Sequence, residues 1–477
     1  MSTMTSSQKP KITNRSSQMR KKSMMNNKAH HHRPPCTRNQ RIASLLLVFA
    51  ACFFFIRSLD RTFRRPCIPN FTTDLVRTSR LPFTDGGDLS WPQRGYGVHL
   101  DLKIYVYEED EVDGLKELMY GKDGNTITAD TCSRGQWATQ VKIHKLLQTS
   151  KFRTRKKEEA DLFFVPTYVK CVHVLGGLDD NQINETYIKV LSQMPYFRLS
   201  GGRNHIFVFP SGNGAHFFSS WATYINRSIF LTPEGDRTDK KETSSFNTWK
   251  DIIIPGNVDD GMTTTNDLVG VQPLPLSKRK YLANYIGRAQ GKVGRLKLIE
   301  LGKQFPDKLE SPDLKFTFPD KLEKMEYFEH LRNAKFCLVP RGESSWTLRF
   351  FESFFVECVP VILSDQIELP FQNVIDYTQI SIKWPSDHIG PQLLEYLESI
   401  PDEAIENMIS NGRKVRCLWV YAPESAPCSA MQGIMWELQR KVRQFHHSAE
   451  TFWLHNGSIM NRNFVKFSDW KPPMPLP

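Results

Sequence analysis

The chain has 477 residues, 40% of them hydrophobic and 24% charged, a balance that supports more than one buried core and excludes a mainly disordered chain or a disulfide-stapled miniprotein. Its 63 Lys+Arg against 51 Asp+Glu give a net charge of +12, but residues 1–41 hold ten of those basic side chains and no acid, which leaves +2 for the other 436. A nearly neutral body excludes a surface built for nucleic acid.

After that basic tail, residues 42–56 (IASLLLVFAACFFFI) form a run without a charge, closed by Arg57. Fifteen helical residues span about 22 Å, short of a hydrocarbon core of roughly 30 Å, although Ser58 and snorkelling by Arg41 and Arg57 lengthen the reach. The positive-inside rule then predicts a cytosolic tail over 1–41, a single transmembrane signal anchor over 42–58 in type II orientation, and a lumenal body. A thin early-secretory membrane suits so short an anchor. A cleaved signal peptide and a buried core helix are the alternatives. Residues 59–95, with Pro66, Pro69, Pro82 and Pro92 and no helical period, read as a stem.

Seven of the nine cysteines lie beyond the anchor, and an oxidising lumen favours pairing among them. Cys417 and Cys428, with ten residues between them across a proline-containing loop, are the best local pair. Sequons at Asn70, Asn184, Asn226 and Asn456 are candidate glycosylation sites in the same compartment. No CxxC or His-rich pair has zinc spacing, so no metal site is expected.

From residue 96 strands and helices take turns. Residues 102–107 (LKIYVY) alternate as a first strand, 138–147 have helical spacing, 160–165 (ADLFFV) form a buried strand and 183–191 a helix. Further strands are predicted over 205–209 (HIFVF) and 251–254 (DIII), and the polar stretch 259–280 reads as a crossover. A second block follows: strand 281–286, helix 292–303, strand 314–318, helix 323–334, strand 336–339, helix 346–357 and strand 359–363, then helices over 389–400 and 403–415. Two such blocks predict two Rossmann-type parallel-sheet α/β domains facing across a cleft, one over 96–270 and one over 271–470.

The most informative stretch is 336–371, FCLVPRGESSWTLRFFESFFVECVPVILSDQIELPF. A buried strand runs into Arg341 and Gly342, and the predicted helix begins near Ser344 or Ser345. That order collects free backbone N–H groups, the positive helix end and a guanidinium at the carboxyl edge of a sheet, where diphosphates bind. Arg349 and Glu352 follow at i,i+3; they suit a phosphate and the ribose hydroxyls, or alternatively form a plain helical ion pair. No GxGxxG, GxxxxGK[ST] or GxSxG occurs in the chain.

This block resembles the signature of the exostosin-like glycosyltransferases, glycosyltransferase family 47, and the likeness continues upstream. Residues 103–107 (KIYVY), 152–154 (FRT), 159–166 (EEADLFFVP), 250–255 (KDIIIP) and 281–295 (YLANYIGRAQGKVGR) fall in the family's order. The resemblance implies the two-Rossmann GT-B fold and a Golgi type II enzyme that transfers sugar from a UDP-sugar with inversion. Because the chain ends soon after the first transferase domain, it is similar to the single-domain plant cell-wall members. Carried over by position, Arg341, Gly342, Ser344, Ser345, Arg349 and Glu352 become nucleotide-sugar candidates, with Gly287, Arg288 and Arg295 beside them and Asp365 near the donor sugar. Where many members carry Asp-His, this chain reads Asn204-His205.

Inverting transfer needs a base for the acceptor hydroxyl, expected from the first half, and stabilisation of the departing UDP, expected from the second. His205 and Asp251 are the candidate bases, with His216 a further one. No D-x-D triplet occurs, so the cationic side chains rather than a divalent ion are expected to neutralise the diphosphate. The expected partners are the UDP-sugar, a cell-wall polysaccharide or glycoprotein glycan, the Golgi membrane, and itself or a related transferase in an oligomer. A catalytically silent partner subunit of a Golgi transferase complex and a membrane-tethered glycan-binding protein are the competing functions.

Overall fold

In the computed structural model the described residues are 100–455, less 101, 125–129, 213, 236–245, 248, 264–271, 315–321, 373, 424–425 and 427, with side chains described as far as 442. All of them fall in one compact unit, Arg80–Pro477.

Among the described residues, eleven strands form two sheets. The first holds β1 (Ile104–Val106), β2 (Arg153–Thr154), β3 (Leu162–Phe164), β4 (His205–Val208), β5 (Ile229–Thr232) and β6 (Ile252–Ile253) in the order β2-β1-β3-β4-β5-β6. The second holds β7 (Tyr281–Asn284), β8 (Leu309–Glu310), β9 (Ala334–Pro340), β10 (Val359–Leu363) and β11 (Ile382–Lys383) in the order β11-β10-β9-β7-β8. Every neighbouring pair is parallel. Parallel strands are covered on both faces, so their residues are buried throughout rather than alternately. That is why LFF of β3, HIFV of β4 and VPVIL of β10 are continuous apolar or buried runs.

The connecting helices that position the site are α1 (Thr139–Thr149), α2 (Asp180–Ser192), α3 (Val293–Gln304), α4 (Lys324–Arg332), α5 (Leu348–Phe355), α6 (Pro391–Glu398), α7 (Asp402–Val415) and α8 (Ala430–His455). The α2 terminus is a full capping box, Asp179 accepting from Gln182 N at 2.9 Å while the Gln182 side chain accepts from Asp179 N. Helix α8 was not anticipated. It brings the chain back to the first sheet, where Lys441 Nζ donates to Trp249 O at 2.5 Å. Met431, Ile434, Met435 and Leu438 of α8 share one buried cluster with Ile206 and Ile229 of the first sheet and Phe350 and Phe354 of α5. This cluster joins the two halves, while each sheet keeps a separate apolar cluster of its own.

Three disulfides are present among the described residues: Cys132–Cys171, Cys337–Cys358 and the expected Cys417–Cys428. The second runs from within β9 to the residue just before β10, closing the end of β9, the loop after it and α5 into one staple.

Several expectations need correction. The tail, the anchor over 42–58 and the stem over 59–95 lie outside the described residues, and no helix among the described residues is long and apolar enough to cross a membrane. The expected fold with a transmembrane helix, the type II topology and the Golgi membrane address that rested on it are therefore not supported. The strand expected over 314–318 also runs outside the described residues, and β8 stands earlier, at Leu309–Glu310. Helix α5 begins at Leu348, behind Thr347, later than the Ser344 or Ser345 start expected from the sequence.

Candidate active site

The carboxyl ends of β7 and β9 lie side by side in the second sheet. From the first comes the loop 285–290, and from the second the turn 341–345, closed by Gly342 N donating to Ser344 O at 3.0 Å. Helix α5 then runs back along the sheet with Phe350, Phe351, Phe354 and Phe355 in the core. Its remaining stripe carries Arg349 and Glu352, both only 7% exposed.

Arg349 and Glu352 are not joined to each other by a salt bridge. Arg349 donates through Nη2 to the carbonyl of Ile286, and its guanidinium lies over the rings of Tyr285 at 5.0 Å and Tyr327 at 5.4 Å. Its Nη1 is buried with no hydrogen-bond partner among the described residues. Glu352 accepts from the Tyr327 hydroxyl at 2.8 Å through Oε2. Burial pushes the Glu352 carboxyl up, and the Tyr327 hydroxyl and Arg349 draw it back down.

Gly287 and Gly342 admit the cations. A Cβ on Gly287 would stand 2.9 Å from the Tyr285 ring and 3.1 Å from Arg349 Nη2, and one on Gly342 would collide with the Arg295 guanidinium. Arg295 donates to Arg288 O at 3.1 Å and Gln290 Oε1 at 2.6 Å, and its buried Nε has no partner among the described residues. Arg288, Arg295 and Arg349 all act electrostatically on the Tyr285 phenol. Three guanidinium groups thus converge at the mouth of the second sheet. Such clustering is costly unless an anion completes it.

The other expected residues are placed differently. The hydroxyls of Ser344 and Ser345 do not cap α5; both bond to Glu234, Ser345 Oγ donating to Glu234 Oε1 at 2.8 Å. Asp365 is exposed and occupied by the next turn, accepting from Ser386 N at 3.0 Å and Ser386 Oγ at 2.5 Å.

His205 opens β4 at the amino end of the strand, away from the carboxyl edge where the site lies. It is fully buried, stacked on Phe163 at 4.9 Å, with Nδ1 bonded to Asn204 Oδ1 at 3.0 Å. Asp251 likewise precedes β6; it accepts from Phe230 N at 2.8 Å and Asn247 N at 2.7 Å and pairs with Lys250. Both side chains are buried and held by partners within the first half. His216 is exposed and accepts from Trp221 Nε1 at 3.2 Å. Of the sequons, Asn226 is exposed in a turn, Asn184 holds Ser219 Oγ and Ser220 N on α2, and Asn70 and Asn456 lie outside the described residues.

Burial lowers His205 from the usual 6.5 to about 3, so it is neutral in the fold. The unfolded chain takes up that proton near pH 6.5 while the folded chain refuses it until about 3. The stability present above pH 6.5 is therefore lost as pH falls through this window, at up to about 1.4 kcal/mol per pH unit. His144, lowered by burial to about 4, adds a second such proton. Urea unfolding between pH 6.5 and 4 should show the slope, and His205→Phe should reduce it; an unchanged slope would show that His205 is protonated in the native state.

Sequence reasoning missed Glu234, Tyr285 and Tyr327. Glu234 follows β5, a strand that was itself not recognised although SIFLT is a clear apolar run. The two tyrosines carry no signal, since only the fold brings them to the Arg349 guanidinium.

A "Probable glycosyltransferase" of Arabidopsis thaliana is 28% identical over 68% of this chain and 65% of its own length, so this chain spans just under two thirds of that relative. A "Probable glucuronosyltransferase" of Oryza sativa subsp. japonica is 26% identical over 78% of this chain and 88% of its own. A "Probable beta-1,4-xylosyltransferase" of Arabidopsis thaliana is 27% identical over 77% and 87%. The homology supports a glycosyltransferase-type role. Since the description "Exostosin GT47 domain" matches residues 100–400, which take in both sheets and the whole guanidinium cradle, this chain belongs to the exostosin GT47 family.

Proposed function

We propose that the chain transfers a sugar from a UDP-sugar to a glycan acceptor with inversion at the anomeric carbon. The half over 271–470 is the nucleotide-sugar side and the half over 96–270 the acceptor side. The observation that carries the reading is the buried Arg349 guanidinium, whose Nη1 finds no partner among the described residues. A cation kept in that state is explained by an anion that arrives from solution, and a diphosphate at the carboxyl edge of a parallel sheet is such an anion.

Arg349, Arg295, Arg341 and Arg288 then balance the charge that develops on UDP as the sugar leaves, already oriented before the reaction begins. Glu352 Oε1 receives no hydrogen bond from the described residues and is left to accept ribose hydroxyls. Binding of a sugar nucleotide and a glycan is consistent with the family. Relatives described as glucuronosyl- and xylosyltransferases put UDP-glucuronic acid and UDP-xylose first among donors to try.

The test is calorimetric binding of UDP to the full chain, followed by UDP release from a panel of UDP-sugars with and without EDTA. Saturable UDP binding and release with one donor, unaffected by EDTA, is the expected result. Absence of any saturable UDP binding to the folded chain would overturn the reading and leave a glycan-binding or silent-subunit role.

A further inference from the structure

Among the candidate bases, His205 and Asp251 are buried in the core and His216 accepts from Trp221 Nε1, so the base for the acceptor hydroxyl is still to be assigned. It has to come from the first half, at the carboxyl edge of its sheet, and to face the loops that hold the donor. Glu234 meets each condition. It leaves the carboxyl end of β5 (Ile229–Thr232) and reaches into the 341–345 turn of the second half, where Ser345 Oγ donates to its Oε1 at 2.8 Å. Gly212, in the loop after β4, lies against Ser344 on the same side. Next to it, Gly235 O accepts from Glu368 N at 2.8 Å, which ties this strand end to the loop after β10. Glu234 therefore stands between the 341–345 turn and the loop that carries Asp365 and Glu368, one short turn before the Arg349 helix.

We propose that Glu234 is the general base of the transfer, an assignment that rests on the transferase reading above. Its carboxylate takes the proton of the acceptor hydroxyl as that oxygen bonds to the anomeric carbon. The bond from that carbon to the diphosphate oxygen breaks, its electron pair leaves on UDP, and the proton passes from Glu234 to solvent. No oxidant, reductant or further co-reactant is needed.

The surroundings suit the task. Burial raises the Glu234 carboxyl, which makes it a stronger base, while the hydroxyls of Ser344 and Ser345 and the charge of Arg341 oppose that rise and favour the ionised form. The charged groups around it are Arg341 on the turn after β9 and Glu368 on the loop after β10.

The experiment compares Glu234→Gln, Glu234→Asp and Ser345→Ala with the wild-type full chain, using the donor the wild type accepts. Glutamine keeps the size of the side chain and can still accept from Ser345. Glu234→Gln is expected to hold UDP affinity within about threefold and to lose about 10²–10⁴-fold in kcat, with the acidic limb of the kcat–pH profile gone. Glu234→Asp, which keeps a carboxylate, should recover part of the rate. Ser345→Ala removes a hydrogen bond to the charged form and should move the acidic limb to higher pH. The proposal is overturned if Glu234→Gln keeps kcat within threefold, if it keeps the acidic limb, or if it loses UDP binding along with transfer, which would make Glu234 a strut of the nucleotide site. If the wild type itself binds no UDP, the transferase reading falls first and this one with it; UDP binding in the wild type and in Glu234→Gln separates the two failures.

Discussion

Arg349→Met should lose UDP affinity by about 10–150-fold, the equivalent of about 1.5–3 kcal/mol for charge-assisted hydrogen bonds, and transfer by about 10²–10³-fold, while the fold stays as stable as before. The reasoning weighs opposite effects. The guanidinium gains a bond to Ile286 O and two ring contacts, each ring worth about 0.5–2 kcal/mol. Against them stands the cost of holding a cation away from water with one edge unpartnered, which is several kcal/mol in effect. Methionine fills similar space and carries no charge to desolvate, so the two sides nearly cancel in stability. Binding has no such compensation. Calorimetry with UDP and a thermal melt on the same preparation check both parts. A variant that binds UDP like the wild type, or one that melts far below it, would show Arg349 to be a structural cation.

Trp419→Ala should be the most damaging single change to stability, about 3–5 kcal/mol, and should lower the melting midpoint by about 10 °C. Trp419 is fully buried in the cluster that joins the halves. Its ring lies 5.4 Å from Phe351, 5.8 Å from Phe354, 6.4 Å from Tyr377 and 6.5 Å from Phe371. Phe351 and Phe354 belong to α5, so a hole at 419 loosens the helix that presents Arg349 and Glu352, and activity should fall before the protein unfolds. Trp419→Phe is the control. Because the indole Nε1 has no hydrogen-bond partner among the described residues, phenylalanine loses volume alone and should cost much less. Equal damage from both variants would mean that the indole N–H is bonded after all.

The alternation of strands and helices was legible because each element carries its own period and its own breakers. Residues 292–303 and 403–415 were read within a residue or two of α3 and α7, and 359–363 coincides with β10. Short strands were not legible. Arg153–Thr154 and Ile382–Lys383 are two residues each and exist only because β1 and β10 offer them an edge. Helix α5 starts late because Ser345, a good cap by type, is drawn instead to Glu234, 111 residues away. Cys417 and Cys428 could be paired from the sequence since the loop between them is short; the partners in Cys132–Cys171 and Cys337–Cys358 are 39 and 21 residues apart, and the chain does not announce which cysteines meet.

What the amino-acid sequence determined by itself is the two α/β blocks and the strand–turn–helix carrying Arg341, Gly342, Arg349 and Glu352, because those features are local: an apolar run, a glycine turn, an amphipathic helix. What only the tertiary structure decided is which polar groups face that cradle. His205 and Glu234 are both polar residues at strand ends, but one stands at the amino end of β4 among aromatic rings and the other past the carboxyl end of β5 beside Ser345. Side-chain periodicity reports which face of a sheet a residue occupies, whereas nearness to the site depends on which end of the strand it lies at and on what the second sheet brings there.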